Sequence, residues 1–134
     1  MSNNLFFHIG LSCNKTSIIE AFYTKYFSFE RVKAFISGNN EVIILKSEGV
    51  YLELFQATES SPLPLPQRAG YRFPGWRHIS FHVDCIESKL KEMGNDIHIT
   101  LATMQVDNFS KGMKACWVSD PEGNIIELCE GYME

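Results

Sequence analysis

An internal repeat constrains this chain more than any other feature of its sequence. A His-Ile pair opens each half, at His8-Ile9 and His78-Ile79, and a Glu-Leu pair closes each half, at Glu53-Leu54 and Glu127-Leu128. A glycine stands four residues ahead of each glutamate, at Gly49 and Gly123. The spacing between the two histidines nearly equals the spacing between the two glutamates. One such match arises easily by chance; concordant positions at both ends of both halves do not. A chain of this kind must fold as two like modules, each burying one face of its own secondary structure.

The order of elements follows from periodicity. Residues 5–12 alternate, with Leu5, Phe7, Ile9 and Leu11 on one face and Phe6, His8, Gly10 and Ser12 on the other, as in a half-buried strand. Ser17-Ile18-Ile19-Glu20 has the form of a capping box. Ile19, Phe22, Tyr23, Tyr26 and Phe27 then fall at helical spacing and make an apolar stripe. Strands are expected at 30–37, 41–46 and 50–56, separated by turns at Gly38-Asn39-Asn40 and Ser47-Glu48-Gly49. Residues 57–76 carry Pro62, Pro64, Pro66 and Pro74, which rule out regular ladder pairing, and read as a linker.

The second half repeats the pattern. It has a strand at 77–83, a D-x-x-E cap at 84–87, a helix with Ile86, Leu90 and Met93 inward, and a terminating Gly94. A strand at 97–101, a polar irregular stretch at 102–112, and strands at 113–119 and 125–130 complete it, the last two joined by the turn Asp120-Pro121-Glu122-Gly123-Asn124. The expectation is an α+β fold in one domain of 134 residues. Two βαβββ modules, about 1–56 and 77–134, form a curved mixed sheet around a cup, with helices on the outer face.

Composition narrows the function by exclusion. Twelve Lys and Arg stand against 16 Asp and Glu, a net charge of -4, and no basic cluster marks a nucleic-acid partner. No segment approaches the roughly 20 apolar residues of a spanning helix, so no membrane association is expected. Residues 1–4 show no cationic leader followed by an apolar run. Cys13, Cys85, Cys116 and Cys129 form no C-x-x-C pair and read as reduced, mostly buried thiols of a cytoplasmic protein.

The repeated pairs point to chemistry. On the first strand of each module, His8 and His78 lie opposite the most apolar stripe; on the last, Glu53 and Glu127 alternate with Leu52, Leu54, Ile126 and Leu128. All four side chains therefore point away from the helix-covered face. A carboxylate among such neighbours is costly to bury unless it is paired or bound to metal. Two imidazoles and two carboxylates suit one divalent ion, Zn, Ni, Co, Mn or Fe, with positions left for water or substrate.

The segments F-F-H-I-G-L-S at 6–12, E-A-F-Y-T-K-Y-F at 20–27, Y-L-E-L-F at 51–55, R-H-I-S-F-H-V at 77–83 and V-S-D-P-E-G-N-I-I-E-L at 118–128 resemble the vicinal oxygen chelate (glyoxalase/bleomycin resistance/dioxygenase) superfamily. The resemblance covers nearly the whole chain, and the D-P-x-G-N-x-x-E-L closing strand is its most specific part. It implies paired βαβββ modules around a metal cup, with ligands at His8, Glu53, His78 and Glu127. The ligand pattern is most similar to glyoxalase I and, less closely, to methylmalonyl-CoA epimerase. It implies a lyase or isomerase that acts on a small carbonyl compound through a metal-stabilised enediolate or enolate, with Glu127 or Glu53 moving the proton and Glu127 favoured. The alternatives within the resemblance are a dioxygenase and an antibiotic-resistance or binding protein; a fourth ligand at Glu53 weighs against both. The longer segments of glutathione-dependent glyoxalase I are absent from 57–76.

Other residues fill in the expected cup. Tyr51 and Phe55 share a face with Glu53 and are expected to line it, with His82 either nearby or at a wetted rim. Arg77, with Arg68 and Arg72, is a candidate anion clamp as well as a solvated linker charge. Residues 102–112 are a candidate lid, and Trp117 reads as core. Unpartnered sheet edges, and the habit of the superfamily, point to a homodimer.

Overall fold

The structure, a computed structural model, describes residues 4–134. The reading of residues 1–3 as no leader lies outside the described residues. The chain divides into two compact units, one ending at Pro62 and the other beginning at Leu63.

The first unit runs β1 (His8–Cys13), α1 (Thr16–Phe27), β2 (Glu30–Ser37), β3 (Asn40–Ser47) and β4 (Val50–Gln56). Its four-stranded sheet has the order β1-β4-β3-β2, with β1 parallel to β4 and the other pairs antiparallel. The second unit runs β5 (Ile79–His82), α2 (Ile86–Met93), a 3-10 turn at Gly94–Asp96, β6 (His98–Gln105), β7 (Lys114–Ser119) and β8 (Ile125–Glu130). Its sheet order is β5-β8-β7-β6, again with first and last strands parallel. Each unit is thus one βαβββ module, and the repeat read from the sequence is a repeat of topology. Among the described residues, no helix is long and apolar enough to cross a membrane.

Each helix covers the apolar face of its own sheet. In α1 the expected stripe is buried in full: Ile19, Phe22, Tyr23, Tyr26 and Phe27. Phe22 meets Tyr23 and Tyr26 edge-on at 5.2 and 5.3 Å. Ile43, Leu45, Leu52 and Leu54 are buried on the sheet side. Each such side chain contributes about 1.5–3 kcal/mol by leaving water. In the second unit Ile86 and Met93 are buried from α2, and Cys116, Val118, Ile126 and Leu128 from β7 and β8. Leu90 is half-buried.

The structure corrects several boundaries. β1 starts at His8 and not at residue 5, since its ladder with β4 begins with His8 opposite Tyr51. Leu5, Phe6 and Phe7 are exposed. β5 is likewise shorter than 77–83, being paired over Ile126 to Cys129.

Neither sequence cap forms. Lys15 is the N-cap of α1, which puts Ser17 inside the first turn. Glu20 instead accepts two hydrogen bonds from the Arg31 guanidinium, at 2.6 and 2.7 Å. At α2 the N-cap is Cys85 rather than Asp84, and the first helical N–H, of Ile86, donates to Glu130 of β8 at 2.9 Å. Residues 102–105, expected to be irregular, belong to β6. Register shifts between Ile99 and Leu101 and between Leu101 and Met104 break the alternation that would have revealed them.

The Asp120–Asn124 turn forms as expected, organised by one carboxylate. Asp120, only 4% exposed, accepts from the backbone N–H groups of Glu122 and Asn124 and from the Asn124 side-chain amide. Gly123 sits at φ +90, and a Cβ there would stand 2.8 Å from Leu65.

Candidate functional site

In the first unit the parallel β1–β4 register sets His8 opposite Tyr51 and Gly10 opposite Glu53. His8 and Glu53 are therefore diagonal neighbours on the same sheet face. His8 Nε2 lies 3.5 Å from Glu53 Oε1, both side chains being partly exposed. Phe7 stands edge-on to His8 at 4.6 Å and to Tyr51 at 5.6 Å, and the Lys46 ammonium sits over the Tyr51 ring at 5.2 Å. By alternation Tyr51 and Phe55 share the face of Glu53, as expected. Among the described residues, Glu53 has no hydrogen-bond donor beyond the His8 contact.

The second unit reproduces the pair. Ser80 is opposite Glu127 in the β5–β8 register, and His78, just before β5, brings Nε2 to 3.4 Å from Glu127 Oε2. His78 Nδ1 lies 3.2 Å from the Ala69 carbonyl, which can only accept, so Nδ1 carries the proton. In the neutral ring the Nε2 lone pair then faces a carboxylate oxygen. Two acceptors opposed at this distance call for a cation or a proton between them.

The position of His78 is set by a glycine. Gly70, at φ +84, lies so close to Arg77 that a Cβ would be 2.7 Å from the Arg77 carbonyl oxygen. The stretch expected as linker thus packs onto the second unit. Ala69 is buried in a cluster with Met113, Ala115, Trp117, Ile125 and Cys129.

Glu127 has two further partners that the sequence reading did not place at the site. The Ser80 hydroxyl donates to Oε1 at 2.9 Å, and the Cys129 thiol donates to the same oxygen at 2.9 Å. Burial, then the bond to Glu127, pushes the Cys129 thiol up to about 11, which keeps it a donor. Period-two alternation was the available signal: Ser80 follows His78 by two, and Cys129 follows Glu127 by two.

Trp117 is opposite Glu127 on β7 and is buried, as expected of a core residue, yet among the described residues its indole N–H has no partner. With Glu127 it lines an open cavity of about 660 Å³, walled by Val106, Phe109 and Met113. The segment beyond Gln105 is tied down rather than free-hanging. Val106 N–H bonds the Met113 carbonyl, and Asp107 accepts from Gly112 N–H. The Ser110 hydroxyl bonds Met133, and Phe109 stacks edge-on to Tyr132.

His82, Arg77 and Arg72 have other neighbours. His82 ends β5 and lines a different cavity, about 440 Å³, beside Asp84, Cys85 and Ser88. Cys85 is the exposed cysteine, its thiol lowered by the Ser88 hydroxyl and N–H. Arg77 places its guanidinium over the Tyr71 ring at 5.4 Å and Arg72 over Phe73 at 5.0 Å, so each stacks on an aromatic neighbour. The three other cysteines are buried, and none of the four is in a disulfide.

The donor types in each unit fit a divalent ion: an imidazole nitrogen beside a carboxylate oxygen, partly exposed. Among the described residues, no group of three or more His, Cys, Asp and Glu side chains is gathered into a metal cluster; each unit brings together one histidine and one glutamate.

No protein-family model matches the sequence, and no curated protein does. Solved structures do match. A glyoxalase family protein from Enterococcus faecalis is 26% identical, covers 94% of this chain and 97% of its own, and superposes with a TM-score of 0.70. A glyoxalase family protein from Bacillus cereus is 14% identical, with coverage of 96% and 95% and a TM-score of 0.73. The fosfomycin resistance protein FosX from Listeria monocytogenes, solved with Mn(II) and a sulfate ion, is 12% identical, with coverage of 99% and 96% and a TM-score of 0.67.

Proposed function

We propose, from the premise that this chain is by fold a vicinal oxygen chelate protein, that its two His–Glu pairs are half-shells for a divalent metal ion and that it is a glyoxalase-like lyase or isomerase of a small carbonyl compound. The observation that carries the reading is the repeated geometry. His8 with Glu53 and His78 with Glu127 meet at 3.5 and 3.4 Å, from equivalent places in two modules of the same topology. The reading holds for half-shells joined within one chain or across two copies of a homodimer. Exposed Leu5, Phe6 and Phe7 beside β1 give a second copy apolar surface to cover. A cytoplasmic location completes the proposal.

A divalent ion held there supplies Lewis-acid polarisation of a substrate oxygen. The protein groups supply the rest. His78 is oriented by Ala69 and keeps Nε2 for binding, and a carboxylate of the pairs takes the proton from the carbon beside the carbonyl. Tyr51 and Phe55 offer an apolar wall on the Glu53 side, and Trp117 does so on the Glu127 side. The FosX neighbour, solved with Mn(II), favours a resistance-type metal protein as the second reading. A fourth ligand weighs against it.

Metal analysis of the purified protein tests the core of the proposal. The expected result is stoichiometric divalent metal, weakened more than about 100-fold by His78→Ala or Glu127→Ala, since lost ligands outweigh lost outer partners. Unchanged metal content in both variants sinks the reading. Solvent-deuterium incorporation into 2-oxo and thioester compounds, supported by several redox-inert metals, then separates proton-transfer chemistry from oxygen consumption with iron alone.

A further inference from the structure

Glu127 and Glu53 occupy equivalent places, but their surroundings differ in a way that bears on what each can do. On Glu127, Oε1 accepts from both the Ser80 hydroxyl and the Cys129 thiol, each at 2.9 Å, while Oε2 alone faces His78. Two donors fill the two lone-pair directions of one carboxylate oxygen. Ser80 and Cys129 also approach each other at 3.3 Å, so the two donors stand side by side on the one oxygen. At the matching places of the first unit stand Gly10, opposite Glu53, and Phe55, two residues beyond it. Neither can donate from a side chain.

We infer that Ser80 and Cys129 are positioning residues that reserve Glu127 Oε1 and present Oε2 alone to a bound metal ion, leaving Glu53 as the movable carboxylate of the two. The inference rests on the metal reading above and deepens it. Oε1 of Glu127 cannot join a bidentate grip without giving up two hydrogen bonds to a charged acceptor. Glu53 has no such restraint and can bind through one oxygen or two, or swing aside. The first unit has room for the same device: a Cβ on Gly10 would lie 3.9 Å from Glu53 Oε1, ordinary contact, at a backbone conformation open to other residues.

The test uses cobalt(II) alone as the probe, on the full chain. It reads the dissociation constant by titration, and the visible absorption band, which reports the number and kind of donor atoms. Ser80→Ala is expected to weaken cobalt 10–100-fold, the usual cost of an outer partner, and to change the band as Oε1 loses one of its two donors. Ser80→Thr keeps the hydroxyl and is expected to keep the wild-type affinity and band. Gly10→Ser gives Glu53 a donor and is expected to tighten binding and change the band in turn. An unchanged constant and band in Ser80→Ala, in a wild type that binds cobalt, overturns the inference. If Ser80→Ala does not fold, an unchanged band in Gly10→Ser overturns it instead. A wild type that takes up no cobalt overturns the metal reading itself, so the two failures are told apart.

Discussion

In the first unit Glu53 faces a glycine across the parallel strand pair; in the second Glu127 faces a serine and has a cysteine two residues on. The units also differ in their helices. α1 has 12 residues and buries five large side chains, while α2 has 8 residues and buries two. They differ again ahead of the first strand. His8 is preceded by exposed residues, whereas His78 is preceded by Gly70 and Ala69 packed against it. Topology and register are the shared part, since one strand pairing delivers a histidine and a glutamate to one face in both. What surrounds the pair is free to diverge, and in the second unit it has become a restraint on both side chains.

The contrast breaks most visibly at the helices. Phe22→Ala removes a ring packed in the aromatic cluster of α1 and is expected to cost about 3–5 kcal/mol. Leu90→Ala removes a half-buried side chain of α2 and should cost about 1 kcal/mol. Equal shifts of the two unfolding midpoints in denaturant would show that the difference in buried surface carries no difference in energy.

A smaller effect separates the two approaches to the histidines. Gly70→Ala meets both a left-handed φ and a backbone oxygen, and about 1–3 kcal/mol of strain is expected. Because the strain lands on Arg77 and His78, metal affinity should fall with stability. Loss of stability with unchanged metal affinity would mean that Gly70 serves the fold alone.

The smallest expected effect is in alkali. The Cys129 thiol is held at about 11, against an ordinary 9.0, so the folded chain keeps a proton that the unfolded chain releases. This share of stability is complete below pH 9.0 and is lost as pH rises through about 11. Thermal unfolding of wild type and Cys129→Ala across that window should therefore converge, the wild type falling more steeply. Parallel curves would show that the Cys129 proton is not linked to folding.

Most of the fold was legible because it rests on local periodicity. The alternation around His8 and Glu53, the stripe of α1 and the Asp120–Asn124 turn carry their own evidence. The residues that escaped are those whose partners are distant in sequence. Glu20 looked like a cap and is held by Arg31; the α2 cap comes from Glu130, which no local pattern announces. The four candidate ligands were legible for the same reason as the fold, as repeated positions on repeated strands. Ser80 and Cys129 were on the right face by simple alternation. They were missed because a serine and a cysteine gain meaning only once a carboxylate oxygen is found between them. His82 shows the converse: it shares a strand face with His78, but β5 is short, and its last residue opens onto another cavity.

The parallel pairing of first strand with last has a consequence for how the molecule is made. In each unit the first strand, which begins at or just after the histidine, waits without a neighbour for the strand bearing the glutamate, the last of that unit to leave the ribosome. Neither half can assemble its pair from a nascent fragment, since that closing contact spans almost the entire unit. The earlier unit nevertheless has all its strands once Gln56 has emerged, while the later one is still being translated. Synthesis therefore proceeds as two successive closures. In each, the histidine and the glutamate meet only when the last strand closes, so the candidate pair is a late product of folding in both halves.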